Sequence, residues 1–503
     1  MKIAVVYPPL KYKNEYPLLS QNRQFKYTNS LEVRIYPLVM ASLATMLKED
    51  KHDVLYLDGV NERLSMDVFE QQVRAFQPDF LVLETKAPII QKHWEYINEF
   101  KTKNPDIKII LVGDHVCFYP EESLEQSKTD YVISHGDYDF IIRDLIRFLE
   151  KKKDAMPGNV HYKNDGNLIS TGHAKFYNLD EAPEIDRDLT KWHIYGEAYL
   201  YHPVAYILSG RGCGGANNRN INLGQYKSNL PGRCTFCIWQ YAFWKAGARM
   251  RDPDKVALEI KHLVENYKVK EVFDDNESGG VWDKEWLENF YIAMDKYGLL
   301  GKVRISSNAR ADNLADVEVC KLLKKLGYRL LKIGVESGNN KTLDILKKDE
   351  HINAIKQGIM NAKDYGLVVL MTTMVGYPWE TEKETKETFD VTKDLMLYKT
   401  HFGDSLQASI IMPYPGTPLY NEALKNNWFL DSFDPKDYKS FDMAHQILKT
   451  SINPEAWCKK MWKIHLHPLF LLKSFFTLRS WNDIKLAIRG LISLFGHLKD
   501  YEE

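Results

Sequence analysis

The chain has 503 residues, 44% of them hydrophobic and 27% charged, with a formal net charge of −1. That length exceeds what one hydrophobic core organises, so two or three domains are expected. The balanced charge excludes a global field that would draw in nucleic acid, and no uncharged stretch is long enough to span a bilayer.

Residues 1–150 alternate strand and helix signals. KIAVVYP (2–8) is an apolar, β-branched run closed by prolines, and YPLVMASLATMLKED (36–50) has helical spacing. DVLYLDG (53–59), DFLVLET (79–85), KIILVGD (108–114) and YVISHGD (131–137) are strand runs, separated by helical patterns over 66–76 and about 90–103. Apolar strands alternating with amphipathic helices predict a doubly wound, Rossmann-like parallel sheet, which binds ligands beyond the carboxyl ends of its strands. Residues 151–200 carry Pro157, Gly158, Asp165, Gly166 and Pro183 and read as a hairpin and linker. Six strand runs follow over residues 201–425: 203–209, 269–275, 302–308, 329–337, 367–376 and 404–414. They predict a partial (β/α)6 barrel of TIM type, with function at the C-terminal strand ends. Residues 426–503 read as a mainly helical region rich in Trp, Phe, Leu and Lys. The opening MKIAVVYPPL is too short an apolar run for a secretory signal, so the expected location is cytoplasmic.

Of the six cysteines, Cys213, Cys234 and Cys237 fall in one stretch just beyond the first barrel strand. Thiolates suit iron–sulfur clusters or zinc, and Cys-x-x-Cys grips one centre from a tight loop. A third thiolate completes a three-point mount. On a four-iron cluster it leaves one iron open, whereas zinc needs a fourth ligand. The nearest candidate, His202, precedes the strand. A zinc knuckle and metal-free thiols are the alternatives. Gly210-x-Gly212-x-x-Gly215 formally matches a dinucleotide fingerprint, but Cys213 interrupts it and no helix pattern follows.

Arg211-Gly212-Cys213 and Cys234-Thr235-Phe236-Cys237 resemble the two halves of the cluster motif of the radical S-adenosylmethionine (SAM) superfamily, here separated by the Asn-rich residues 214–233. Further segments carry the same resemblance: Phe273-Asp274-Asp275-Asn276, Arg310, Gly334-Val335-Glu336-Ser337-Gly338, Gly376-Tyr377-Pro378 and Pro413-Tyr414-Pro415-Gly416-Thr417. Val112-Gly113-Asp114-His115, Pro120-Glu121-Glu122 and Ser134-His135-Gly136-Asp137 resemble the cobalamin domain of the cobalamin-binding group within that superfamily. This group includes methyltransferases, hopanoid-modifying enzymes and the anaerobic protoporphyrin-ester cyclase.

The resemblance implies a 4Fe-4S cluster on Cys213, Cys234 and Cys237, and SAM contacts at Phe236, Asp275, Arg310, Glu336, Ser337, Gly376 and Pro413. It also implies cobalamin contacts at Pro8, Val112, Gly113 and Gly136. The Asp-x-His-x-x-Gly motif that supplies a histidine to cobalt in other cobalamin enzymes does not occur, so His115 is read as a hydrogen-bonded rim residue. The implied activity is methylation of an unactivated carbon in a small or lipid-like substrate, with electrons from a donor such as flavodoxin or ferredoxin. A cobalamin-dependent cyclase and a non-catalytic cobalamin or iron–sulfur sensor are the alternatives. Residues 214–233 are expected to cap the site or to form a loop of no catalytic role. Residues 455–499, aromatic and basic, read either as a cap packed on the barrel or as a peripheral membrane contact.

Overall fold

The computed structural model describes residues 1–19, 25–30, 33–213, 234–243, 248–278 and 280–499. The first sheet is built on β1 (Lys2–Tyr7), whose last five residues are buried as an apolar, β-branched run dictates. In chain order follow α1 (Leu38–Glu49), β2 (Asp53–Asp58), α2 (Met66–Phe76), β3 (Phe80–Thr85), α3 (Ile90–Lys103) and β4 (Lys108–Gly113). Then come α4 (Asp114–Phe118), α5 (Pro120–Gln126), β5 (Tyr131–Ile133) and α6 (Tyr138–Leu149). The start of α2 is fixed locally: the Ser65 side chain accepts from the Val68 amide, satisfying an otherwise orphaned donor.

The hairpin at β6 (Val160–Asn164) and β7 (Asn167–Ser170) joins this sheet, where β6 pairs antiparallel with β5. The strand order is β7-β6-β5-β4-β3-β1-β2. The five parallel strands thus have the order 2-1-3-4-5. The chain leaves β1 for its neighbour on one side and returns to the other, so the crevice lies at the ends of β1 and β3.

The second sheet is the predicted partial barrel. Its strands are β8 (Val204–Ile207), β9 (Glu271–Asp274), β10 (Arg304–Ala309), β11 (Tyr328–Glu336), β12 (Val368–Val375) and β13 (Ser405–Ile410), all parallel and in sequence order. The intervening helices are α7 (Ile238–Ala242), α8 (Pro253–Tyr267), α9 (Lys284–Lys296), α10 (Val317–Leu326), α11 (Asn340–Ile345), α12 (Ile352–Asp364) and α13 (Glu382–Leu397). Thr381 and Glu384 form a capping box at the start of α13.

After α14 (Pro418–Lys425), residues 426–453 hold no α-helix; Asp431, Asp434, Pro435 and Asp437 favour turns over continued helix. The helical character expected of the C-terminal region starts at α15 (Pro454–Trp462) and continues in α16 (Pro468–Phe476) and α17 (Trp481–Lys499).

Polar bonds tie the sheets together at the carboxyl ends of their strands. The Phe25 amide donates to the Tyr414 hydroxyl at 2.7 Å, and the Met443 amide to the Phe25 carbonyl at 3.1 Å. His135 Nδ1 lies 2.6 Å from the Ala242 carbonyl. Arg211 and Arg249 meet Asp137 and Asp139 in a buried ion cluster.

Candidate active site

The cysteine segment is held by its neighbours' backbone and carboxylates. Asp274, at the end of β9, accepts from the Ser209 amide at 2.9 Å and its hydroxyl at 2.5 Å. Burial pushes the Asp274 carboxyl up to about 6, against the pull of the Ser209 bonds. Two residues past Asp275, Glu277 accepts from the Gly212 amide at 2.7 Å, fixing the residue before Cys213. The Cys234-Thr-Phe-Cys237 turn closes through the Cys237 amide to the Cys234 carbonyl at 3.1 Å. It is pinned on both sides of Thr235, whose amide donates to the Leu346 carbonyl and whose carbonyl accepts from the Leu419 amide.

The three cysteines, brought from either side of the residue 214–233 segment, line one cavity at the carboxyl ends of the barrel strands. The cavity measures about 1520 Å³ including its open mouth. Phe236, Asp275, Arg310 and Glu336 also face it. One wall is polar, with Glu197, Glu277 and Gln407; another is apolar, with Met374, Ile410, Met412 and Met443. Ile35, from the N-terminal region, closes one side.

A network of charges lies beneath the cysteines. Lys348 Nζ is 3.0 Å from Glu350 and 3.5 Å from Glu336. Arg310 donates to the Lys348 carbonyl at 2.9 Å and approaches Glu350 at 3.6 Å. Burial pushes the Cys234 thiol up to about 12, although Lys348 and Arg310 pull the other way. Burial would lower the basicity of Arg310, but Glu350, Asp312, Cys213 and Cys234 outweigh it and hold the guanidinium charged. Glu336 ends β11 in the left-handed region at φ 62°, next to a bulge at Gly334. A side chain there persists only where its surroundings over-determine it. The Glu336 carboxylate fills the space that a Cβ on Gly334 would need, 2.1 Å away.

Ser337, Gly376 and Pro413 are strand-end residues set back from the cavity surface. Ser337 is buried and donates to Glu380 at 3.0 Å. Gly376, at φ 86°, packs against Pro454. Pro413 stands between the cavity residues Met412 and Tyr414. The N-terminal set sits at strand ends too: Pro8 follows β1, Val112 and Gly113 close β4, and Gly136 precedes α6. Gly113 has φ 138° and passes so close to Thr85 that a Cβ would lie 1.9 Å from the Thr85 carbonyl oxygen. His115 is hydrogen-bonded as expected, with Nε2 2.8 Å from Glu122, but it is fully buried rather than exposed at a rim. Residues 214–233 lie outside the described residues.

The donor set fits an iron–sulfur cluster: three thiols face one cavity, with room and carboxylates beside them for a further ligand. Thiolates on the corners of an iron–sulfur cube stand farther apart than the ligands of one ion. Among the described residues, no three His, Cys, Asp or Glu side chains close around a single ion. A nucleotide-tailed cofactor fits the 2-1-3-4-5 switch point, where the barrel mouth faces the strand ends. Sequence reasoning missed Lys348, Glu350, Glu277 and Glu197. The strand-end rule points to Glu277, but no local pattern marks the other three.

The family model of the radical SAM superfamily matches residues 231–392, and that of the B12 binding domain matches residues 26–140. The chain is similar to an uncharacterized methyltransferase of Pyrococcus horikoshii, 25% identical over 470 residues, covering 91% of this chain and 94% of that one. It is also similar to the anaerobic magnesium-protoporphyrin IX monomethyl ester cyclase of Rubrivivax gelatinosus, 25% identical over 423 residues, with 82% and 70% covered. In fold it is similar to the radical SAM methyltransferase TsrM from Kitasatospora setae, solved with cobalamin and a 4Fe-4S cluster bound. The TM-score is 0.67 and the identity 13%, with 98% of this chain and 99% of that one covered.

Proposed function

The chain belongs to the cobalamin-binding radical SAM enzymes, and from that premise we propose that it methylates an unactivated carbon of a small or lipid-like molecule. The observation that carries the reading is the cavity shared by Cys213, Cys234, Cys237, Glu336 and an apolar methionine wall. When bound, the cluster and SAM supply a 5′-deoxyadenosyl radical and cobalamin supplies a methyl group.

The three cysteines hold the cluster. Asp275 and Glu336 accept from the ammonium and ribose hydroxyls of SAM, and Arg310 and Lys348 balance the charge below. Phe236 and the set-back residues Ser337, Gly376 and Pro413 shape the walls. Met374, Met412 and Met443 hold the substrate carbon away from water. Pro8, Val112, Gly113 and Gly136 present backbone to cobalamin at the strand ends. Residues 1–150 are the cobalamin-binding unit, 151–200 the linker, 201–425 the catalytic barrel and 426–503 its C-terminal cover. The electron donor is a small redox protein of flavodoxin or ferredoxin type.

The test is anaerobic reconstitution followed by iron and sulfide analysis and assay of 5′-deoxyadenosine. Native protein carries four irons per chain for the 4Fe-4S cluster, whereas Cys234→Ala and Cys213→Ala lose the cluster and SAM cleavage. An iron-free native protein after reconstitution overturns the assignment. Methyl-labelled SAM then separates methylation from cyclisation, since an unlabelled product excludes methyl transfer.

A further inference from the structure

At the opposite end of the barrel from the cysteines, the structure holds a second cavity. It forms where Tyr201 and His202 precede β8 and Lys270 precedes β9, and α17 closes it. Arg34, Lys270, Lys485, Arg489, His193 and His202 line it, and no Asp or Glu does so among the described residues. Two carboxylates bonded to the lining residue Tyr201 are held by other donors as well. Asp483 accepts from the Tyr201 hydroxyl and from the Arg479 and Ser480 amides, and Glu271 accepts from Arg329 and the Tyr201 amide. The cavity is therefore built for an anion.

The surface beside it is apolar. Of the 20 large hydrophobic side chains exposed among the described residues, 12 lie between Leu466 and Phe495. Phe475, Phe476 and Trp481 are 67%, 68% and 78% exposed. On α17, Ile484, Ile488, Leu491 and Phe495 recur every three or four residues, so they form one outward stripe, while Asp483, Leu486, Leu494 and Leu498 face inward. Lys485 and Arg489, four apart, run along the edge of that stripe, and Ile488 belongs to both stripe and cavity. Residues 455–499 carry eight Lys and Arg against Glu455 and Asp483, although the whole chain is nearly neutral. No described helix is long and apolar enough to cross a membrane.

We propose that α16 and α17 lie on the surface of an anionic phospholipid bilayer, with a lipid phosphate in the basic cavity and the apolar stripe among the acyl chains. Apolar area and cations on one helix edge are the two forces that hold an interfacial helix. The site is remote from the cysteine cavity, so it anchors the enzyme without occupying the reaction chamber.

Co-sedimentation of the full chain tests this, using vesicles of phosphatidylcholine alone and vesicles containing one third phosphatidylglycerol. The chain pellets with the anionic vesicles and is released by high salt. Lys485→Glu, and separately Phe475→Ser with Phe476→Ser, lower the partition coefficient about tenfold or more. All are exposed positions, and an unchanged thermal transition confirms that each variant is folded. Brominated acyl chains quench fluorescence in the native chain and less in Trp481→Ser. The proposal fails if Lys485→Glu binds as the native chain does. It fails too if vesicles are ignored while the chain self-associates through Phe475 and Phe476, or while inorganic phosphate alone fills the cavity.

Discussion

The ion cluster between the two sheets has a calculable cost of removal. Arg211, two residues before Cys213, meets Asp139 through Nη1 at 2.8 Å and Nη2 at 2.6 Å, and Asp137 at 2.9 Å. Arg249 binds the same Asp137 carboxylate at 2.7 and 3.0 Å. These side chains are between 0% and 8% exposed, so two cations and two anions balance one another out of water. Asp139→Ala deletes both Arg211 bonds to that residue and leaves one positive charge in excess. Breaking a buried pair in this way costs about 3–5 kcal/mol. In a cooperative unit of about 150–250 residues, each kcal/mol moves the midpoint by about 2–4 °C, so the first thermal transition falls by roughly 6–20 °C. Calorimetry of the full chain at neutral pH measures it. Asp139→Leu combined with Arg211→Met removes the charge imbalance and leaves Asp137 with Arg249, so the double variant is more stable than either single one. An Asp139→Ala midpoint within about 2 °C of native would refute the reasoning, as would a double variant that loses the sum of both singles.

Three further outcomes follow from named contacts. Burial pushes Glu84 up to about 7, against the bonds donated by Tyr7 and Tyr138. A carboxyl whose folded pKa is raised contributes stability below its unfolded value that is lost as pH rises through the folded one. Stability of the N-terminal unit therefore falls by roughly 3 kcal/mol between pH 4.5 and 7, and Glu84→Gln flattens that slope in melts against pH. Gly334→Ala places a methyl where the Glu336 carboxylate lies, so SAM affinity measured by calorimetric titration falls about tenfold, as it does in Glu336→Gln, without loss of bound iron. Gly113→Ala forces a side chain onto the Thr85 carbonyl at φ 138° and lowers stability by at least about 3 kcal/mol, with cobalamin stoichiometry falling alongside.

The element order was legible because each strand carries its own signature. KIAVVY, DVLYLD and FLVLET each carry an apolar run, and these three strands lie within one residue of those read, whereas the runs read over 131–137 and 404–414 give strands that stop four residues earlier, at Ile133 and Ile410. The cysteines and strand-end carboxylates were legible for a related reason: a parallel barrel concentrates chemistry where apolar runs stop, as at Phe273-Asp274-Asp275-Asn276. Charge pairing across the domains was not legible. Arg211 and Asp137 stand 74 residues apart in sequence, and any of the many Arg and Asp residues fits the same composition. Lys348 was hidden too, because it follows α11 in a run of ordinary surface residues yet folds back to 5% side-chain exposure beneath Cys234.

The C-terminal helices show where periodicity stops short. A pattern of apolar residues three and four apart states that two faces differ but not which one meets the barrel. The sequence of α17 left a packed cap and a membrane contact open, because it carries two apolar stripes. The structure separates them: Leu486, Leu494 and Leu498 turn inward, and Ile484, Ile488, Leu491 and Phe495 turn out. A helix made only to cap the barrel would carry polar residues on its outer face, since each large apolar side chain left in water forgoes about 1.5–3 kcal/mol of burial. On the bilayer proposal, cap and contact are two faces of one helix. The face that leaves its burial unrealised stands beside Lys485 and Arg489, the charges that a phosphate-bearing surface would meet.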